Sequence, residues 1–218
     1  MISKVFGRRD ETKLLLASGA MAAPLFVAVF QIEGARREGY EPIREPVSAL
    51  ALGGRGWIQR ANFVGTGLAM LACSRGLRGS SAVRGGSVWG TGRFLALGLI
   101  GAGVFAMDPT IPVTAPASDP DPGTHVLHDA FSLVVFGALT GACFAYAGDF
   151  ARRGRAGWAA YSLVSGTLVA GGVVLFGRGF AGSPRLSPIA GLVQRLTIVA
   201  GLGWLARLAG SELEQPAA

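Results

Sequence analysis

Residues 156–177 read AGWAAYSLVSGTLVAGGVVLFG, a stretch of twenty-two without a Lys, Arg, Asp or Glu. About 17–25 residues of this kind make a helix that crosses a bilayer. Outward from it, residues 14–32 and 130–148 are equally free of charge, and residues 56–74, 88–107 and 188–206 each carry a single arginine. The pattern predicts an all-α integral membrane bundle of six transmembrane helices, with spans at about 14–32, 56–75, 88–107, 125–148, 156–177 and 188–207. The connections are too short for a separate folded unit, so residues 1–218 form one polytopic domain.

Composition points the same way. Half the residues are hydrophobic, 15% are charged, and 34 of the 218 are glycine, about twice the usual share of roughly 7%. Arginine outnumbers lysine eighteen to two, a skew expected of a GC-rich bacterial coding sequence. The apolar run near the start continues through Phe30, beyond the roughly 7–15 residues of a signal-peptide core, and reads as a retained first helix.

Lys and Arg beside membrane spans stay in the cytoplasm. With six spans, the N-terminus, the second and fourth connections and the C-terminus share one side and carry twelve basic residues against five acidic ones. The opposite side has eight of each, so the whole net charge of +7 sits on one face. Both termini are therefore expected to be cytoplasmic, in a multi-pass protein of the inner (plasma) membrane. A basic patch with aromatic stacking partners on an exposed domain, which nucleic-acid binding requires, is missing from the sequence. Cys73 and Cys143 have no CxxC partner and read as packing residues. Small residues at spacing four, Gly137 and Gly141 on the fourth span and Gly65, Ala69 and Cys73 on the second, are expected to let neighbouring helices approach closely. The same pattern leaves a homodimer or a membrane-protein partner open.

Polar chemistry gathers at the ends of the spans predicted to face outward. Gln59-Arg60 opens the second span and Gln194-Arg195 lies in the sixth. An ionised group in hydrocarbon costs about 2.5–3.5 kcal/mol on insertion scales, so Arg195 needs a partner, for which Asp108 and Asp129 are the candidates. The segment after Asp108 contains Pro109, Pro112, Pro116, Pro120 and Pro122 and cannot be helical. Thr124 then reads as the N-cap of the fourth span, followed by His125, His128, Asp129 and Ser132 along one side of the helix. Two readings stay open for this cluster. His125, His128 and Asp129, with Asp108, could hold zinc. Alternatively, the aspartates neutralise arginines while the histidines form hydrogen bonds at the interface. In the first outer connection, Pro46 starts and Gly53 stops a short apolar helix, too short to span, that is expected to lie on or re-enter the membrane and to carry Ser48.

These motifs together resemble a known family. Tyr40-Glu-Pro-Ile-Arg-Glu-Pro-Val-Ser48, Gly56-Trp-Ile-Gln-Arg-Ala-Asn62, Met107-Asp108-Pro, His125-Val-Leu-His128-Asp129 and Gln194-Arg195 are similar to those of the bacterial membrane proteins of domain-of-unknown-function family 998. The resemblance implies a six-helix inner-membrane protein and leaves the activity open. A fainter resemblance in residue types, Ser48, Asp108, His128 and Asp129, is to the membrane hydrolases that include alkaline ceramidases and adiponectin-type receptors. This chain has only two histidines, where those enzymes place three around zinc.

The expected function is binding of a lipid headgroup or small solute in a polar pocket at the outer leaflet, built by Gln59, Arg60, Asn62, Gln194 and Arg195. Membrane lipid is the expected partner. The alternatives are a metal-dependent hydrolase acting on a lipid ester or amide, with Ser48, Asp108 and His128 as its candidate catalytic residues, and a small-solute transporter or membrane scaffold.

Overall fold

The computed structural model describes residues 8–79, 86–107 and 122–214. Six helices account for most of them: α1 (Arg8–Arg36), α2 (Gly56–Gly79), α3 (Gly86–Val104), α4 (Pro122–Arg152), α5 (Ala156–Phe180) and α6 (Ala190–Leu213). Two short 3-10 helices, Val47–Ala51 and Ser187–Ile189, complete the described elements, which include no strand. Segments of α1, α4, α5 and α6 are long and apolar enough to cross a membrane. The apolar part of α3 is the shorter Gly92–Val104, and α2 carries Arg60, Arg75 and Arg78.

The boundaries differ from the sequence reading at the polar ends. α4 begins at Pro122, three residues before the expected start, because proline at a first helical position gives up no intrahelical hydrogen bond. Thr124 is consequently inside the first turn and is not the N-cap. α3 stops at Val104, and Asp108 together with residues 109–121 lies outside the described residues.

Each helix packs against the next in sequence, and α6 returns to α1 to close the circuit. With antiparallel neighbours throughout, the start of α1 and the end of α6, the termini of the described bundle, fall at one end and the 37–55 connection at the other. At the end holding the termini, Trp204 is fully buried and donates its indole N–H to Ser162 Oγ at 2.9 Å. Tyr146 packs edge-on against Trp204, and Phe150 stacks obliquely on both Tyr146 and Trp158.

Both cysteines are buried. Cys73 presses on Gly19 of α1, where an added Cβ would meet its sulfur at 2.2 Å. Ala69 also faces α1, its carbonyl accepting from Ser18 Oγ at 3.0 Å, but the remaining proposed small-residue contacts are corrected by the structure. Gly65, Gly137 and Gly141 are exposed on the outside of the bundle. Side-chain size predicts where helices can approach, but the facing direction is set by the larger apolar neighbours: on α4 it is Phe131 and Val135 that seat against Gly101 and Gly98 of α3.

Candidate functional site

The 37–55 connection folds back into the bundle and acts as a plug. The sequence places its helix correctly: Pro46 precedes the 3-10 turn Val47–Ala51, and Gly53 ends it with φ 71°, a left-handed conformation that costs a residue without Cβ nothing. Val47, Ala49, Leu50 and Ala51 are buried among α1, α2 and α6.

Arginines grip this plug from two sides. From α6, Arg195 donates to the carbonyl oxygens of Pro42, Glu45 and its own-helix Gly191, and to Tyr40 Oη. Its guanidinium also lies over the Phe30 and Tyr40 rings, 5.8 and 5.5 Å from their centroids, where the ring faces attract a cation. Tyr40 in turn donates to Pro46 O at 2.9 Å. From just beyond the end of α1, Arg37 donates to Leu50 O and Leu52 O at 3.0 and 2.9 Å and to Glu33. The buried Glu33 also receives a two-pronged contact from Arg55 at 3.0 and 2.8 Å. Burial pushes the Tyr40 phenol and the Glu45 carboxyl above their ordinary pKa, and the Glu33 carboxylate raises that of Arg55.

Of the two expected carboxylate partners of Arg195, Asp129 is exposed and Asp108 lies outside the described residues. Among the described residues the guanidinium is hydrogen-bonded to backbone carbonyls and the Tyr40 hydroxyl, with the Glu45 carboxyl near enough to feel its charge. Gly191 makes the approach feasible, since a Cβ there would lie 2.4 Å from Glu45 O and 2.6 Å from Pro42 O.

The other pocket candidates are also committed to the fold. Arg60 donates to Gly103 O and Val104 O at 3.2 and 2.7 Å, covering carbonyls left open at the end of α3. Asn62 donates to Phe26 O at 3.1 Å and to Gln59 Oε1 at 3.3 Å, and Gln59 is fully buried. Gln194 Oε1 accepts the Val47 N–H at 2.8 Å, pinning the first residue of the plug helix.

The histidine cluster does not assemble a metal site among the described residues, where no three His, Cys, Asp or Glu side chains converge. His128 is buried with Nδ1 3.1 Å from Ala102 O and 3.0 Å from Phe105 O. That ring nitrogen is consequently an N–H donor to the end of α3. His125 is half-buried one turn earlier.

Beneath the plug lies a partly open cavity of about 40 Å³, room for about two or three waters or for the end of a hydrocarbon chain. Its walls are Phe26 of α1, Phe63 of α2, and Leu99 and Ala102 of α3. On the far side it meets Ser132, Val135 and Phe136 of α4 and Ile198 of α6, with Val47, Ser48 and Gln194 toward the plug. Phe136 packs against Phe176 of α5 with centroids 5.1 Å apart. Sequence reasoning named Ser48 and Gln194 but missed this cavity. Phe26, Phe63 and Ser132 come from three helices, and no local pattern joins them.

Residues 20–211 match the family described as "Protein of unknown function (DUF998)". The match covers most of the chain, which belongs to that family. No curated protein and no solved structure matches it.

Proposed function

We propose that this chain is a lipid-binding protein of the plasma membrane, non-enzymatic, in which the cavity under the plug receives a short segment of one lipid molecule at the level of one leaflet. The observation that carries this reading is an apolar cavity, walled by Phe26, Phe63 and Leu99, inside a bundle of membrane-crossing length. Ligand sites of this kind are concave and mostly apolar, with a few polar groups that fix orientation. Here those groups are Ser48, Ser132 and Gln194. The headgroup contact first assigned to Arg60 and Arg195 passes to them, because both guanidinium groups are occupied by backbone carbonyls. With the termini cytoplasmic, as the charge distribution predicts, the cavity lies in the outer leaflet.

The test is native mass spectrometry of protein purified in mild detergent. The wild-type chain is expected to retain one lipid per protein, and Ser132→Leu, which fills the cavity from α4, is expected to lose it while eluting as the same monodisperse species. Equal lipid retention by the two proteins, or none by the wild type after exposure to total membrane lipid, refutes the proposal.

A further inference from the structure

We infer that the occupant of this cavity is a hydrocarbon chain bearing an uncharged carbonyl group, as in an acylglycerol or a long-chain quinone. The inference rests on the lipid-binding reading and names the chemical class. Its basis is the hydrogen-bonding state of the three polar residues at the cavity. Several helix hydroxyls in the bundle bond back to their own helix, as Ser18 does to Leu15 O, Ser74 to Leu71 O and Thr197 to Val193 O. Ser48 and Ser132 make no side-chain hydrogen bond among the described residues, and both line the cavity. Gln194 is 8% exposed. Its Oε1 is consumed by the Val47 N–H, and its Nε2 has no partner among the described residues. Gln194 therefore presents only donors to the cavity, and each serine hydroxyl adds another. The apolar walls of the cavity offer these donors no acceptor, and an acceptor oxygen on the ligand would satisfy them.

Charge decides what kind of oxygen. Among the described residues, no ionisable side chain lines the cavity. The nearby cations are turned elsewhere: Arg195 to the plug carbonyls, Arg60 to the end of α3, and Arg37 and Arg55 to Glu33. A carboxylate or phosphate seated beside Ser48 and Ser132 would be buried without a counter-ion, which apolar surroundings penalise heavily. A neutral ester or quinone carbonyl accepts the same hydrogen bonds and carries no such penalty.

Four probes test this on delipidated protein in detergent: 1-oleoylglycerol, a decyl-substituted benzoquinone, oleate at alkaline pH, and oleoyl lysophosphatidylcholine, with affinity read from thermal-shift titrations. The expected result is that at least one of the two neutral carbonyl compounds binds about tenfold or more tighter than either charged one, and the tighter of the pair identifies the source. Ser48→Ala and Ser132→Ala should each weaken that binding about threefold to tenfold, the loss of one hydrogen bond. Charged and neutral chains binding alike, or a Ser48→Ala/Ser132→Ala double variant binding the neutral chain as tightly as wild type, overturns the inference. If all four probes bind wild type equally and none binds Ser132→Leu, the lipid site stands and the carbonyl assignment falls. If none binds wild type, both fall.

Discussion

The two ends of this bundle are held together by different physics. At the end carrying the termini, Trp204, Tyr146, Phe150 and Trp158 fill the space between α4, α5 and α6, and the indole N–H of Trp204 meets Ser162. At the opposite end a short 3-10 helix is tied down by arginines bonded to backbone carbonyls, above a cavity where Ser48, Ser132 and Gln194 Nε2 have no partner among the described residues. Packing of the first kind fixes a single arrangement, because a close-packed interior resists small changes in volume. The second arrangement fixes the plug yet keeps space beneath it, and space with unmatched donors is what a binding site requires. On the proposed reading, the packed end holds the fold together and the plugged end recognises the ligand.

The largest way to break that division is Trp204→Ala, which empties the packed end. It should destabilise the whole chain by about 3–5 kcal/mol, seen as a lowered thermal midpoint. The Ser132→Leu contrast in lipid retention should still be measurable at low temperature. Next, Arg195→Ala leaves the carbonyls of Pro42 and Glu45 without their donor; hydrogen bonds to charged groups are worth about 1.5–3 kcal/mol each. The effect should be local: hydrogen exchange accelerates at residues 40–52, while the amides around Trp204 keep their protection. Arg195→Lys should recover only part of that protection, because an ammonium does not reproduce the planar fork of a guanidinium. If Arg195→Ala instead loosens both ends equally, the division fails.

Gly191→Ala sharpens the same point without touching a charge. The added methyl collides with Glu45 O and Pro42 O, an overpacking cost of about 1–3 kcal/mol, again confined to exchange in residues 40–52. The smallest effect is expected from Glu45→Gln. Burial raises the pKa of this carboxyl, opposed by the Glu41 N–H and Arg195 and aided by Glu41. A raised acid contributes stability that is fully present below its unfolded value of 4.5 and is lost as pH rises through its folded value. The amide removes that loss. Melting curves of the variant and wild type should therefore coincide at acid pH, and the variant should melt slightly higher at neutral pH. Identical curves across the range would remove Glu45 from the account of the plug.

Much of this was legible in the residues alone. The absence of charge across residues 14–32, 130–148 and 156–177 locates helices because an apolar stretch of that length has few other stable arrangements in a membrane. Pro46 and Gly53 bracket the plug helix through backbone preferences that need no tertiary context. The family, too, is carried by local motifs. The error over Arg195 has a simple cause. Sequence reasoning looked for the partner of Arg195 among carboxylates, the side chains that advertise themselves as acceptors. Its actual partners include the carbonyls of Pro42 and Glu45. Every residue has such a carbonyl, so no sequence pattern marks the ones that will converge.

The sequence by itself therefore determined the six helices, four of them long and apolar enough to cross a membrane, their approximate limits and the short helix between Pro46 and Gly53, since each follows from hydrophobicity and backbone preference over a few consecutive residues. Only the tertiary structure decided that Gln194 and Arg195 reach a loop some 150 residues earlier in the chain. It alone turned Gly137 and Gly141 outward and joined Phe26, Phe63 and Ser132 around one cavity. Contacts between distant segments depend on how all six helices rotate to bury their larger side chains together, and no single stretch contains that information.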